Sequence, residues 1–184
     1  MRYIVTAMPQ RLESVKELKR QIPHLEIVWD RHKDAMETFL RACAEAGDDA
    51  VVRLEDDVVL TSNFMSKAEA VIEEHKDEVI QFFSRSKYDL TLGSRLRAGS
   101  SFMMNQCFYL PVGVSRELME YCPEWYAINY KEHPSGYDTM MGAYFAKAKR
   151  KYWNHVPSLV EHRIMKSLIH PSRSSKRQST TFER

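Results

Sequence analysis

Short apolar runs and stretches of helical periodicity take turns along the first half of this chain. Residues 3–7, YIVTA, form an apolar run of strand length. Leu12, Val15 and Leu18 then recur at helical spacing until Pro23 stops them. Residues 25–30, LEIVWD, predict a second strand that ends on Asp30. Met36, Phe39, Leu40 and Cys43 share one face of a helix over about 34–46, and Gly47 sits just past its end. A third strand over 50–54 runs directly into three acids, a helix covers about 65–76, and 79–83 returns as a strand. This alternation predicts an α/β domain with a mostly parallel central sheet flanked by helices.

The second half is less regular. Residues 84–101 are polar and glycine-bearing and read as a loop or sheet edge. A short strand over 106–111 ends at Pro111, and a short helix covers 115–122. A turn at 134–136 opens a helix that buries Met140, Met141, Tyr144, Phe145 and Ala148, and 152–156 predicts a last strand. From Pro171 the chain is polar and basic, so residues 1–171 are expected to form the domain and 172–184 a flexible basic tail.

The central question is the phrase VVRLEDDVVL, residues 51–60. Glu55, Asp56 and Asp57 stand at the carboxyl end of a strand, where open α/β sheets bind their ligands. On an extended backbone Glu55 and Asp57 point one way and Asp56 the other. Two carboxylates aimed into one crevice repel each other unless a cation lies between them. Val58, Val59 and Leu60 continue the apolar pattern, so the acids are not a solvated turn tip. Hard divalent ions take oxygen ligands and share them with substrate phosphates, so the phrase poses a metal-and-phosphate site.

Composition narrows the class without naming it. The chain has 184 residues, 43% of them hydrophobic and 28% charged, with a net charge of only +2, as in an ordinary soluble domain. Three cysteines, Cys43, Cys107 and Cys122, form no C-x-x-C pair, which predicts free thiols in a reducing compartment. No stretch has the length of a membrane span, and the expected location is the cytoplasm, of a host cell if the protein is viral. No Gly-rich phosphate loop is present, which weighs against a phosphatase or a nucleotidyl transferase.

The helix DAMETFLRACAEAG followed by LEDDVVLTSNF resembles the D-x-D region of GT-A fold glycosyltransferases, especially family-25-like, compact bacterial and phage forms. VPSLVEHRIMKSLIHP resembles the late segment of that family, and CFYLPVGVSRELMEY and GYDTMMGAYF resemble its acceptor wall and a helix opened by an acid. The resemblance implies a donor that is a nucleotide sugar, such as a UDP-sugar, and a Mn²⁺ or Mg²⁺ cofactor. Asp57 and His162 would hold the metal, and imidazole favours Mn²⁺. Arg11, Asp30, Glu55 and Asp56 would contact the donor. Asp138 would serve as general base or orient the acceptor, with His133 a lesser candidate.

The acceptor is open between two classes. Arg85, Lys87, Arg95 and Arg97 face a single acid, Asp89, while Lys147, Lys149, Arg150 and Lys151 form a second basic cluster and the tail a third. Basic clusters interleaved with aromatics suit a polyanion, and in size and charge, though not in motif, the chain resembles compact phage enzymes, some of which glycosylate hydroxymethylated bases in DNA. Arg95, Arg97 and Trp125 are the acceptor-binding candidates on that view. A saccharide or lipopolysaccharide acceptor is the alternative, and a non-catalytic nucleic-acid binder on the same fold is the rival class. No membrane partner is expected, and the oligomeric state is not legible.

Overall fold

The computed structural model describes residues 1–103, 105–133, 136–168 and 177–183. Strand β1 (Arg2–Ala7) is followed by α1 (Leu12–Gln21), β2 (Glu26–Trp29), α2 (Ala35–Ala46) and β3 (Val51–Glu55). Val15 and Leu18 of α1 are buried while Leu12 is exposed, so the apolar stripe starts one turn later than its spacing suggests. Asp34 caps α2 by accepting from the backbone N–H groups of Met36 and Glu37, each at 3.0 Å, and Gly47 ends it at φ +58°. Val51, Val52 and Leu54 are all essentially buried, as expected of a strand covered on both faces.

A short turn leads from β3 to β4 (Val58–Leu60), then α3 (Phe64–Glu74), β5 (Val79–Gln81), α4 (Asp89–Leu92) and β6 (Arg95–Ala98). The chain continues through β7 (Cys107–Leu110), α5 (Val114–Asn129), α6 (Tyr137–Lys147), β8 (Lys151–Asn154) and β9 (Val160–His162). The main sheet has the order β2-β1-β3-β7-β5-β8-β6. Five of its seven described strands run in one direction, and β7 and β6 run against them. One apolar layer, with Val15, Leu18, Ala68 and Ile72, covers one face; the other, with Phe39, Cys43, Leu118, Met141 and Phe145, covers the opposite face. The three cysteines are free and buried.

Several elements depart from the periodicity. Residues 84–101 contain α4 and the edge strand β6. The helix expected over 115–122 runs on through Pro123 to Asn129, because Cys122 and Trp125 both bury in the core and packing outweighs the lost backbone donor. The ribbon of β4 and β9 forms a second small antiparallel sheet, with Val58 opposite His162. Residues 177–183 of the expected flexible tail pack on the domain. Ser158 N–H donates to Thr181 Oγ1 (3.1 Å), Ser179 Oγ to Ser158 Oγ (2.8 Å) and Thr61 Oγ1 to the Glu183 carbonyl (2.9 Å). Hydroxyl pairing of this kind leaves no hydrophobic signature. Residues 172–176 and 184, with Arg173, Lys176 and Arg184 of the basic tail, lie outside the described residues, as does the turn at 134–135. No described helix is long and apolar enough to cross a membrane.

Helix α6 carries Asp138 and approaches the segment after β6 very closely. A methyl group on Gly99 would collide with the Arg150 carbonyl and come within 2.5 Å of Phe145 Cβ. Gly99→Ala is therefore expected to cost about 1–3 kcal/mol through overpacking, seen as a lowered midpoint in urea unfolding. An unchanged midpoint would mean that α6 is not pressed against this segment.

Candidate active site

The carboxyl ends of β2, β1 and β3, the segment entering β7 and the N-terminus of α6 enclose a cleft of about 530 Å³. Arg11, Asp30, Glu55, Asp56, Asp57 and Asp138 all line it. Residues widely separated in the chain thus meet at the crest of the parallel strands, where such sheets bind ligands.

Asp56 and Asp57 form the turn between β3 and β4 rather than continuing the extended strand. Their side chains therefore do not alternate. Both reach Arg11, whose Nη1 lies 2.8 Å from Asp56 Oδ1 and 2.7 Å from Asp57 Oδ2. Asp56 Oδ2 also accepts from the Met8 backbone N–H at 2.7 Å. With 6% exposure and each oxygen held by a protein group, Asp56 ties the turn to Arg11 and Met8 at the wall of the cleft. Arg11 is itself 8% exposed and donates through Nη2 to the Lys166 carbonyl at 3.2 Å, so it holds the acids as well as facing the cleft. Asp30 is buried, and its Oδ1 accepts from the backbone N–H groups of His32 (3.1 Å) and Asp34 (3.2 Å), shaping the loop into α2.

His162 Nε2 lies 3.3 Å from Asp57 Oδ2 and is fully buried. The pairing of β4 with β9 places His162 opposite Val58, directly after Asp57, and Arg163 N–H donates to the Asp57 carbonyl at 2.7 Å. Asp57 Oδ1 and both ring nitrogens of His162 have no hydrogen-bond partner. Burial pushes Asp57 up, but His162 and then Arg11 outweigh it and leave the carboxyl at about 2. Burial pushes Asp56 up to about 6 against the pull of Arg11. Glu55 is pushed up to about 8 by burial and by the nearby charge of Asp57, with the Tyr137 hydroxyl and Arg177 pulling the other way.

A buried carboxylate with one oxygen that no protein group engages, beside an imidazole whose Nε2 meets only that carboxylate, fits one hard-to-borderline divalent cation. No group of three metal-ligating side chains exists among the described residues, which offer Asp57 and His162 as a pair. The other coordination positions would fall to phosphate oxygens and water, as is usual for cations bound together with a phosphorylated substrate.

Asp138 opens α6 at the edge of the cleft, where its Oδ1 accepts from the Thr139 backbone N–H at 2.9 Å. His133 also lines the cleft. The acceptor candidates fare differently. Arg95 and Arg97 stand on β6, at the far edge of the sheet and four strand positions from β3, roughly 19 Å away at ordinary strand spacing. Arg95 is paired with the buried Asp89 at 2.7 Å, and the Arg97 guanidinium lies 5.6 Å from the centre of the Tyr152 ring. Trp125 is 2% exposed and packs in the core, so it presents no stacking face. None of the three lines the cleft.

Among the cleft residues that escaped the sequence reading are Tyr137, Asn105 and Gln106, while Arg177 was read only as one charge of the basic tail. Tyr137 donates its hydroxyl to Glu55 Oε1 at 2.6 Å while its ring stacks on Phe39 with centroids 4.6 Å apart. Asn105 and Gln106 line the cleft beside Glu55, and Arg177 enters it from the C-terminal segment. Tyr137 stands next to Asp138 and so was within sight of a motif. Asn105 and Gln106 carry no pattern of their own.

No known protein-family pattern matches this chain, and no curated protein matches it. Solved structures do. The glycosyltransferase GlyE of Streptococcus pneumoniae TIGR4 aligns over 84% of this chain and 45% of its own, with 13% identity and a TM-score of 0.50. TarS 1-349 of S. aureus aligns over 84% of this chain and 60% of its own at 10% identity and TM-score 0.48. A197 from STIV aligns over 90% and 87% at 17% identity and TM-score 0.49. The chain thus spans less than two thirds of both of those bacterial chains. The mixed α/β domain with its mostly parallel central sheet is similar in fold to the aligned part of the glycosyltransferase GlyE. Family 25 in particular finds no support in these likenesses.

Two substitutions check this geometry. Arg11→Met leaves Asp56 and Asp57 buried without their cation and is expected to cost about 3–5 kcal/mol, read by urea unfolding at neutral pH. Arg95→Ala strands the buried Asp89 in the same way. It is expected to lower the melting temperature while leaving any ligand affinity of the cleft unchanged, measured on the folded protein. A ligand affinity that falls with Arg95→Ala would contradict the separation of β6 from the site.

Proposed function

We propose that the protein is a metal-dependent glycosyltransferase that moves a sugar from a nucleoside diphosphate sugar to a hydroxyl acceptor. The observation that carries this reading is the meeting of Asp57, which lines the cleft at the strand ends, with the buried His162 behind it, 105 positions apart (162 − 57), and the Asp57 Oδ1 that no protein group engages. The glycosyltransferase fold supports the same class.

Asp57 and His162 would hold the cation, Mn²⁺ rather than Mg²⁺ on account of the imidazole. When bound, it would offset the negative charge that gathers on the departing diphosphate. Arg177, on the Glu55 side of the cleft, adds a second positive charge there. In the transfer the acceptor oxygen bonds to the anomeric carbon. The bond from that carbon to the diphosphate oxygen breaks, its electron pair leaves with the diphosphate, and the acceptor proton passes to a base. Asp138, at the edge of the cleft, is the carboxylate placed to take that proton or to orient the hydroxyl that carries it. Glu55 lines the cleft with its Oε1 held by the Tyr137 hydroxyl, and would contact the donor there. A DNA acceptor loses its main footing, because Arg95 and Arg97 are engaged within the protein at the remote sheet edge.

Asp57→Asn is expected to reduce donor turnover roughly 100-fold or more and to abolish the Mn²⁺ dependence of donor binding, since several kcal/mol of charge stabilisation are withdrawn. Donor hydrolysis and calorimetric titration of UDP-sugars and GDP-sugars with and without Mn²⁺ check this. Circular dichroism of the variant shows that the fold is kept. Equal affinity in both proteins would rule out a cation bridging protein and diphosphate.

A further inference from the structure

The segment entering β7 brings two carboxamides into the cleft that the protein leaves unanswered. Asn105 is 4% exposed and Gln106 2%, yet both amide atoms of Asn105 and Oε1 of Gln106 have no hydrogen-bond partner. Buried polar atoms are nearly always paired, and leaving them unpaired costs stability. Glu55 N–H donates to the Gln106 carbonyl at 3.0 Å, which fixes this pair beside the end of β3.

Their place along the sheet gives them a partner. The strands run in the order β2, β1, β3, β7, and at their cleft ends stand Asp30, Met8, Glu55 to Asp57, and Asn105 with Gln106. Strands lie about 4.8 Å apart, so the amides sit one step beyond the Asp57 strand, and Asp30 two steps to its other side. A nucleoside diphosphate sugar has three parts in series. With its diphosphate at Asp57 and its nucleoside over β1 and β2, the sugar falls at β7.

We propose that Asn105 and Gln106 recognise the transferred sugar, their carboxamides pairing with neighbouring hydroxyls of the donor pyranose and setting which sugar is accepted. This inference rests on the glycosyltransferase reading above. A carboxamide presents an acceptor and two donors side by side, and adjacent ring hydroxyls each donate and accept. A site built to bond a hydroxyl discriminates strongly against a sugar that lacks it or turns it away, because its own polar atoms are then left unpaired.

The test is the double variant Asn105→Leu with Gln106→Met, which keeps side-chain size and removes the polar atoms. Calorimetry with Mn²⁺ compares UDP and GDP with UDP-glucose, UDP-galactose, UDP-N-acetylglucosamine and GDP-mannose. The wild type is expected to bind one diphosphate, and one of its sugar conjugates more tightly. The variant is expected to keep the diphosphate affinity, to lose about tenfold or more of the sugar's added affinity, and to melt no lower than wild type. A variant that melts lower with the sugar increment intact assigns the amides a structural role and overturns the proposal, as does a wild type to which the sugar adds nothing. A wild type that binds no diphosphate at all overturns the glycosyltransferase reading, and this inference with it. Should the double variant not fold, Gln106→Glu serves in its place. A changed preference between UDP-glucose and UDP-galactose supports the proposal, and an unchanged one overturns it.

Discussion

Arg11 lies almost wholly out of water between Asp56 and Asp57, and the geometry of the cleft depends on that contact. Three charges have left solvent here, which is tolerable only because each is met at hydrogen-bond distance. The guanidinium joins the turn after β1 to the turn after β3, and the Met8 N–H adds a second tie through Asp56. The consequence is an asymmetry between the two aspartates. Asp56 has no oxygen left for a ligand, whereas Asp57 keeps Oδ1 free. Adjacent residues of the same type thus have opposite duties, decided by which oxygens the protein itself consumes.

The small β4–β9 ribbon supplies what the main sheet lacks. It emerges from the acidic turn and folds the late segment back, so that His162 reaches Asp57 from a different part of the chain. On the other side, Tyr137 at the start of α6 steadies Glu55 while resting on Phe39 of α2. The close approach at Gly99 and Gly142 holds α6 where Tyr137 and Asp138 can meet the cleft. Packing far from the site thereby sets the position of groups within it.

Charge at the opposite edge of the sheet has a different explanation from the one its composition invites. Arg95 answers the buried Asp89, and Arg97 lies over Tyr152. Basic side chains on an edge strand also discourage pairing with a second chain. Clustered arginines in a sequence do not reveal whether their partners are external or already inside the protein.

The α/β class and the strand-end placement of the acids were legible because buried strands and amphipathic helices impose local periods, and because a carboxylate-rich strand end follows from topology alone. The meeting of Asp57 with His162 was legible only through resemblance to a family, since no local rule links residues 105 positions apart (162 − 57). Trp125 was misplaced because an aromatic beside a proline looks the same in sequence whether it faces core or solvent, and the alternation of Glu55, Asp56 and Asp57 failed because the chain turns where an extended backbone was assumed. Asn105 and Gln106 had no pattern to show, and Arg177 showed only as one charge of a basic tail: single polar residues acquire meaning only from what surrounds them. Periodicity and composition, being local, determined the layers of this protein. The tertiary structure alone decided which polar atoms are satisfied and which face the cleft unpaired, because hydrogen-bond satisfaction depends on neighbours that the chain brings together only when folded.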